Sequence, residues 1–528
     1  MTGGRRHRTR LAAAVLSGLL LSAAFPPLDL GPLVLVALVP LLWAWRGAGP
    51  VAGAAYGGVA GIAFYAVLVE WTRYFGLVAV APFVLFLSTW WALAGAGIGW
   101  LDRRGVAAAP VVASIWVVME AAQGRVPFGG FPWGDLGYAF HDWGAARALA
   151  AWGGVPLLSW LAVAANGWLL GAGRAGLAVR RRRAATGGWE GSGAIVRPLA
   201  WLLAGGLVAG ALAAARPTLT PTGRLRVALV QGNDRNRNLT LDEVRDRYLV
   251  RNHLRLAGAV TAPVDLIVLP ESSLDADPRE DASLDVALSA LAAAHHADVL
   301  AGGNIAAPHG RLYNAVFHYG PTPTDPVADP TATGRRPEIY RKRHLVPFGE
   351  YVPWRSELSF IDALQAVPTD YEPGHGPTVF AVDGHRLGAL ICFESAFAPL
   401  ARQYARLGAD AIVVATNNRS YRRSANSAQH LAIGQLRAAE TGRPLLQAAI
   451  SGISAVVDHT GRVRSRTKLF EPTVLVGEVA TYRGRTPYTV LGDWMVVVSA
   501  LVLAGAAVLA GRRGRPIRPA GNGAGPEP

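Results

Sequence analysis

Cysteine is nearly absent from this 528-residue chain, which has one, Cys392. That excludes an intramolecular disulfide framework and any cluster of cysteine metal ligands. Lysine is almost as scarce: of 51 basic residues only Lys342 and Lys468 are lysines, and the rest are arginine. Charge is thin, at 16% of residues against 51% hydrophobic, with a mean hydropathy of +0.26. Such a composition excludes disorder and fibrous classes and is too apolar for an ordinary soluble protein. Residues 11–100 hold four charges, Asp29, Arg46, Glu70 and Arg73. No internal repeat is present.

Long apolar runs take the place of charge. They recur at 11–25, 28–46, 51–70, 77–100, 106–121, 147–171 and 197–215, and an eighth spans about 490–511. Most approach the roughly 17–25 residues that a helix needs to cross a bilayer. Their Gly and Ala content suits close helix packing in lipid. Residues 5–24 also resemble a secretory signal, but the immediate return to a second apolar run favours a first membrane helix. Arginines cluster at 5–10, at 103–104, at 174 and 180–183, and at 512–518, which puts them all on one side of such a bundle. By the positive-inside rule that side is cytoplasmic. The net charge of +15 is then mostly a record of orientation, and a nucleic-acid partner is not expected. The predicted domains are a membrane domain of about seven helices over 1–222, an outer domain over 223–483, a closing membrane helix over 484–511 and a disordered cytoplasmic tail over 512–528.

The outer domain reads differently. Short apolar runs stand at 225–232, 265–272, 297–304, 313–319, 385–395, 410–418 and 453–461, with helical stretches at 241–258, 283–296 and 426–441. Continuous apolar strands alternating with helices indicate an α/β layered domain with buried sheets.

Three polar residues sit where chemistry is easily placed. Cys392 ends the run LGALIC and opens a predicted helix, whose positive end would lower the thiol pKa and favour thiolate. A small buried hydrophobe is the competing reading. Glu271 leaves the strand LIVLP, and open α/β sheets gather ligands at the carboxyl ends of their strands. It is a candidate general base, or a carboxylate capping the residues that follow. Lys342 lies between Arg341 and Arg343, where plain positive charge is already written as arginine. Lysine differs in being a compact point charge able to face an oxyanion. Lys468, in an ordinary basic stretch, is assigned no role. The twelve histidines show no metal-ligand spacing.

The order Glu271, Lys342, Cys392 resembles the Glu–Lys–Cys set of the nitrilase, or carbon–nitrogen hydrolase, superfamily. Together with the helix count it resembles the apolipoprotein N-acyltransferases of bacterial membranes. The segments that carry the likeness are VQGN (230–233), LPES (269–272), YNA (313–315), KRHLVPFGEYVP (342–353), CFES (392–395), GRPLL (442–446) and, in the membrane half, GGFPWGDLGY (129–138). The resemblance implies a multi-pass α-helical membrane domain joined to an extracytoplasmic α/β nitrilase-like αββα sandwich. It implies acyl transfer from a membrane phospholipid, through a thioester on Cys392, to the amine of a diacylated apolipoprotein. It implies no cofactor or metal, a plasma-membrane location with both termini cytoplasmic, and a monomer. Glu350, Phe393 and Glu394 match positions that support the site or its oxyanion. Trp133, Tyr138, Asn314, Phe348, Tyr351 and Trp354 are the candidate substrate and lipid contacts. Leu345, Val346, Phe348, Tyr351, Val352, Trp354 and Phe360 would form a lid that dips into lipid, unless they are core residues of a connection. Phe128, Phe131, Trp133 and Tyr138 lie on the same outer side and would meet that lid.

The likeness has one gap. Where many members place an aromatic loop after the strand 410–418, this chain has Asn417-Asn418-Arg419-Ser420-Tyr421-Arg422-Arg423. Arg419, Arg422 and Arg423 are either phosphate ligands or solvated charge. The alternatives to acyl transfer are a membrane-tethered amidase acting on a small amide and a non-catalytic membrane scaffold.

Overall fold

The computed structural model describes residues 2–186, 193–233, 240–321, 337–361, 364–365 and 367–513. The tail predicted from 512 lies outside the described residues beyond Arg513.

Every apolar run of the N-terminal half folds as helix. These are α1 (Thr2–Ala23), α2 (Val39–Trp45), α3 (Gly49–Leu68), α4 (Leu77–Asp102), α5 (Ala109–Gln123), α6 (Gly144–Thr186) and α7 (Gly193–Ala214). The run 28–46 is broken into a 3₁₀ turn, Gly31–Leu35, and the short α2. Pro32 and Pro40 lack the N–H that a continuous helix would use there. Among the described residues, five segments are long and apolar enough to cross a membrane: Gly49–Leu68, Val80–Asp102, Gly144–Ala184, Ala194–Ala214 and Trp494–Arg512. Helices α3 and α4 touch through small residues; a Cβ on Gly53 would lie 2.3 Å from the Gly95 carbonyl oxygen. Three of the arginine clusters, at 5–10, 103–104 and from 512, meet at one end of this bundle. Arg10 donates to the Arg46 carbonyl, Arg46 pairs with Asp102 at 2.7 Å, and Arg513 donates to the Arg104 carbonyl.

The second half is an αββα sandwich. Its strands are β1 (Thr220–Gln231), β2 (Leu266–Leu269), β3 (Asp298–Ala306), β4 (Leu312–Tyr319), β5 (Glu338–Arg341), β6 (Val379–Val382), β7 (His385–Ile391), β8 (Ala411–Thr416), β9 (Leu445–Ala449), β10 (Ala455–Val457), β11 (Val463–Arg466) and β12 (Thr473–Arg483). Its helices are α8 (Leu241–Arg245), α9 (Tyr248–Gly258), α10 (Ala282–His295), α11 (Ala398–Arg406) and α12 (Asn426–Thr441); α13 (Pro487–Leu491) and α14 (Trp494–Arg512) follow. The strands form two sheets, ordered β12-β1-β2-β3-β4-β5 and β11-β10-β9-β8-β7-β6. Alternation along β1 explains the layering. Leu225, Val227 and Leu229 face the other sheet's Leu387, Ala389 and Ile391, while Ala228 and Val230 pack under α9 and α10. The second sheet's outer face, Leu390, Ile412 and Val414, lies under α11 and α12. Strands buried on both faces must be apolar throughout, which is why they read as unbroken runs.

Helix α12 joins the two halves, and all of its residues but Ala428 are buried. Gln429 accepts the indole N–H groups of Trp71 (3.1 Å) and Trp133 (2.8 Å) and donates to the Pro26 and Leu68 carbonyls. Lower on the helix, Glu440 receives the Val155 N–H at 2.8 Å. That N–H is released by a kink in α6 at Gly154, whose φ of 66° takes it out of the helical pattern. A Cβ there would meet the Tyr488 ring at 2.6 Å.

Candidate active site

Glu271 lies two residues beyond β2, Lys342 directly after β5 and Cys392 directly after β7. The sheets thus deliver the three side chains to one end of the sandwich. Lys342 extends the β5 edge. Its N–H donates to the Asn314 carbonyl at 2.8 Å, and its carbonyl accepts from Gly374. Cys392 has φ 50°, a left-handed conformation that is costly for a side-chain-bearing residue and turns the chain sharply at the sulfur.

The charges are closely paired. Lys342 Nζ lies 2.8 Å from Glu350 Oε1 and 3.5 Å from Glu271 Oε1. Asn314 Nδ2 donates to both carboxylates, at 2.7 Å to Glu271 and 3.0 Å to Glu350, and Val346 N–H donates to Glu350 Oε2. Lys342 is 1% exposed. Burial works against its charge, but Glu350 and Glu271 outweigh that and hold the amine well above its ordinary value. Burial raises the Glu271 pKa, opposed by Lys342 and reinforced by Glu350. The second oxygen of Glu271 has no hydrogen-bond partner, so it is available to take a proton.

The thiol departs from expectation. Burial, with the Glu271 charge added, pushes it up to about 12, and Lys342, Thr416 and Asn417 only partly offset this. The helix dipole fails because Cys392 opens a single 3₁₀ turn, Cys392–Ala396, and the true helix starts only at Ala398. Cys392 therefore rests as a thiol and needs a base, and Glu271 is a carboxylate whose charge reaches it.

Glu394 is fully buried. It accepts from Tyr340 (2.9 and 2.8 Å), from Arg343 and His344 N–H, and from Ile391 N–H, and so ties the lysine strand to the cysteine turn. The Phe393 ring stacks on Phe131 of the membrane half at 5.9 Å and meets Phe397 edge-on at 5.0 Å. Trp133 is buried against Gln429, and the Tyr138 hydroxyl reaches the Ala396 carbonyl at 3.4 Å, so both lie beneath the cysteine turn. In the predicted lid, Leu345 and Val352 are buried core, whereas Phe348, Trp354 and Phe360 are exposed. Phe128 meets Phe348 and Trp354 edge-on at 6.0 and 5.1 Å; Phe131, Trp133 and Tyr138 serve the junction instead. Tyr351 is half-buried.

Four neighbours of the site were missed. Thr416 and Asn417 reach the thiol from the end of β8, and the strand-exit rule that found Glu271 applies equally to them. His430, on α12, sits 3.1 Å from the Cys392 carbonyl and 2.7 Å from Ser395 Oγ. Tyr421, in the loop that departs from the family pattern, packs edge-on against Trp71 at 4.8 Å and Phe75 at 5.7 Å. Arg422 and Arg423 lie over the Tyr74 and Phe470 rings.

Residues 17–168 match the model for the apolipoprotein N-acyltransferase N-terminal domain, and residues 226–488 match that for carbon-nitrogen hydrolase. An apolipoprotein N-acyltransferase of Mycolicibacterium smegmatis is 34% identical, over 94% of this chain and 84% of its own length. That of Geobacter metallireducens is 31% identical, over 93% and 94%. The chain belongs to the apolipoprotein N-acyltransferase family. A third member, from Methylococcus capsulatus, is 31% identical over 92% of this chain and 93% of its own. The two-sheet sandwich is accordingly the family's nitrilase-like catalytic fold, set beside apolar helices able to span a membrane.

Proposed function

We propose that this enzyme transfers an acyl chain from a membrane phospholipid, through a thioester on Cys392, to the α-amine of a diacylglyceryl-cysteine at a lipoprotein N-terminus. The observation that carries the reading is the meeting of the buried Glu271 and Lys342 with the half-buried Cys392 in one cluster, beneath which Phe393 and Ala396 rest on the aromatic outer loop of the apolar-helix half.

Glu271 takes the thiol proton as sulfur attacks the ester carbonyl. The carbon–oxygen bond breaks, the lysophospholipid oxygen receives that proton, and the acyl group stays on sulfur. In the second half the lipoprotein amine attacks the thioester, Glu271 accepts its proton, and sulfur leaves to be reprotonated. Splitting the transfer through a nucleophile replaces one difficult step with two easier ones. Lys342 and the Phe393 N–H stabilise both oxyanions. Glu350 and Asn314 hold the lysine and the base in register. No step requires a cofactor.

The catalytic domain lies on the outer face of the plasma membrane, with both chain termini cytoplasmic. Supporting this, the arginines at 5–10, 103–104 and 513 gather at the end of the bundle opposite the α12 junction, where positive charge marks the cytoplasm. The domain boundaries follow as membrane helices to about 222, a catalytic sandwich over 223–483 and a closing helix over 484–511. Phe348, Trp354 and Phe360 present apolar surface to the lipid that supplies the donor.

The test is an assay of detergent-solubilised enzyme with labelled phospholipid and a diacylated lipopeptide. Appearance of triacylated peptide, with label in an amide, is expected. Release of free fatty acid without acylated peptide would replace the transferase with the tethered hydrolase.

A further inference from the structure

Away from the triad, Asp29 in the segment after α1 meets His141 and Asp142 in the loop before α6. The two ligand segments are far apart in the chain, so no spacing betrays them in the sequence. One donor atom from each residue lies within 4.8 Å of the others.

His141 is the informative member. It is 5% exposed, and its Nδ1 lies 3.1 Å from the Tyr138 carbonyl oxygen. A carbonyl only accepts, so Nδ1 carries the hydrogen. Nε2 then points at Asp29 Oδ2, 3.4 Å away, and at Asp142 Oδ2, 3.6 Å away. Both separations exceed the roughly 2.7–3.2 Å of an N–H···O bond. A bare imidazole lone pair facing two carboxylates is repulsive, so a positive species belongs between them. Tetrahedral coordination with bonds of about 2.1 Å sets neighbouring ligand atoms roughly 3.4 Å apart, close to the 3.4 and 3.6 Å at which the imidazole nitrogen faces the two carboxylates. One imidazole nitrogen with two carboxylate oxygens suits zinc and similar ions, whereas calcium and magnesium take oxygen alone.

We propose that Asp29, His141 and Asp142 bind one divalent transition-metal ion of the zinc class, with water completing the exposed side. Surrounding groups hold the ligands in place, as outer contacts do at metal sites. Gln435 Nε2 donates to Asp142 Oδ1 at 3.1 Å and to the His141 carbonyl at 3.2 Å. Arg147 is the nearby cation, but its donors are turned to the His141 and Thr460 carbonyls. The ion clamps the start of the membrane half to the loop on which α12 docks. It takes no part in the acyl chemistry.

The experiment uses the full-length protein in detergent, with any histidine tag removed. Elemental analysis after zinc loading and dialysis should find about one zinc per chain, and cobalt(II) in its place should give the visible absorption of a tetrahedral site. H141Q and D142N should each lose the zinc and the cobalt spectrum, while acyl loading of Cys392 reports that they fold. If a variant fails to fold, the wild-type cobalt spectrum decides alone. Wild-type protein with neither retained zinc nor a cobalt spectrum would overturn the proposal, as would undiminished metal in folded H141Q. In that case a proton on Nε2 supplies the positive charge.

Discussion

At the residue scale the account turns on charges confined where water is excluded. Lys342 fills a nearly closed site between Glu350 and Glu271, which suits a compact ammonium better than a planar guanidinium. Lys342→Arg keeps the charge but should cut acyl transfer by about 100-fold or more, the usual scale for losing an oxyanion donor. Near-normal turnover would remove the special role of the amine. The pH dependence has a definite sign. The base must be deprotonated to work, and burial raises the Glu271 pKa, so the acid limb of the acylation rate should fall at a higher pH than an ordinary glutamate would give. Glu350 contributes to that rise, so Glu350→Gln should move the limb to lower pH while slowing the maximal rate. A stopped-flow pH profile of acyl-enzyme formation reads both effects. A limb that stayed in place would mean that another group titrates.

Helix α12 shows best what sequence pattern can and cannot convey at the scale of elements. Asn426, Gln429, His430, Gln435, Arg437 and Glu440 are polar residues of the helix, yet all are buried. One side of the helix covers a sheet and the other docks on membrane-half loops, so its polar groups are spent on partners that sequence does not reveal. Gln429→Ala would strand two indole N–H groups and two carbonyls. At about 1–3 kcal/mol for each buried unsatisfied group, partly relieved by water, the loss should be about 3 kcal/mol. Thermal unfolding in detergent should then begin several degrees lower, and an unchanged transition would show that the junction is not held there. The proposed catalytic positions stood out because an unbroken apolar strand that ends in a polar residue is a strong local signal. Glu271 and Cys392 follow that rule, and scarcity singled out Lys342. Strand β5, reading EIYR, escaped because an edge strand with a charged residue at each end has no apolar run. The thiol's protonation was misread because the helix start seen in CFES is only a short turn, and burial dominates it.

The whole molecule couples a hydrophilic reaction centre to substrates that never leave lipid. The exposed aromatics Phe348, Trp354 and Phe360, with Phe128 against the first two, give the catalytic half an apolar surface. Replacing Trp354 and Phe360 together with serine should weaken capture of phospholipid in bilayers, raising its apparent KM several-fold with little effect on kcat. A fall in kcat alone would place these residues in the chemistry instead. Orientation is testable separately. Single cysteines placed in a Cys392→Ala background at the 180–183 arginines should be shielded from a membrane-impermeant maleimide in intact cells, and one at Arg224 should be labelled.

The central claim is that Cys392 carries the acyl chain. Intact-protein mass spectrometry after incubation with a defined phospholipid tests it most directly. The account predicts a mass increase of one acyl group, mapped to the Cys392 peptide, labile to hydroxylamine, absent in Cys392→Ala and discharged by a diacylated lipopeptide. An unmodified Cys392 in enzyme that still makes triacylated peptide would contradict it.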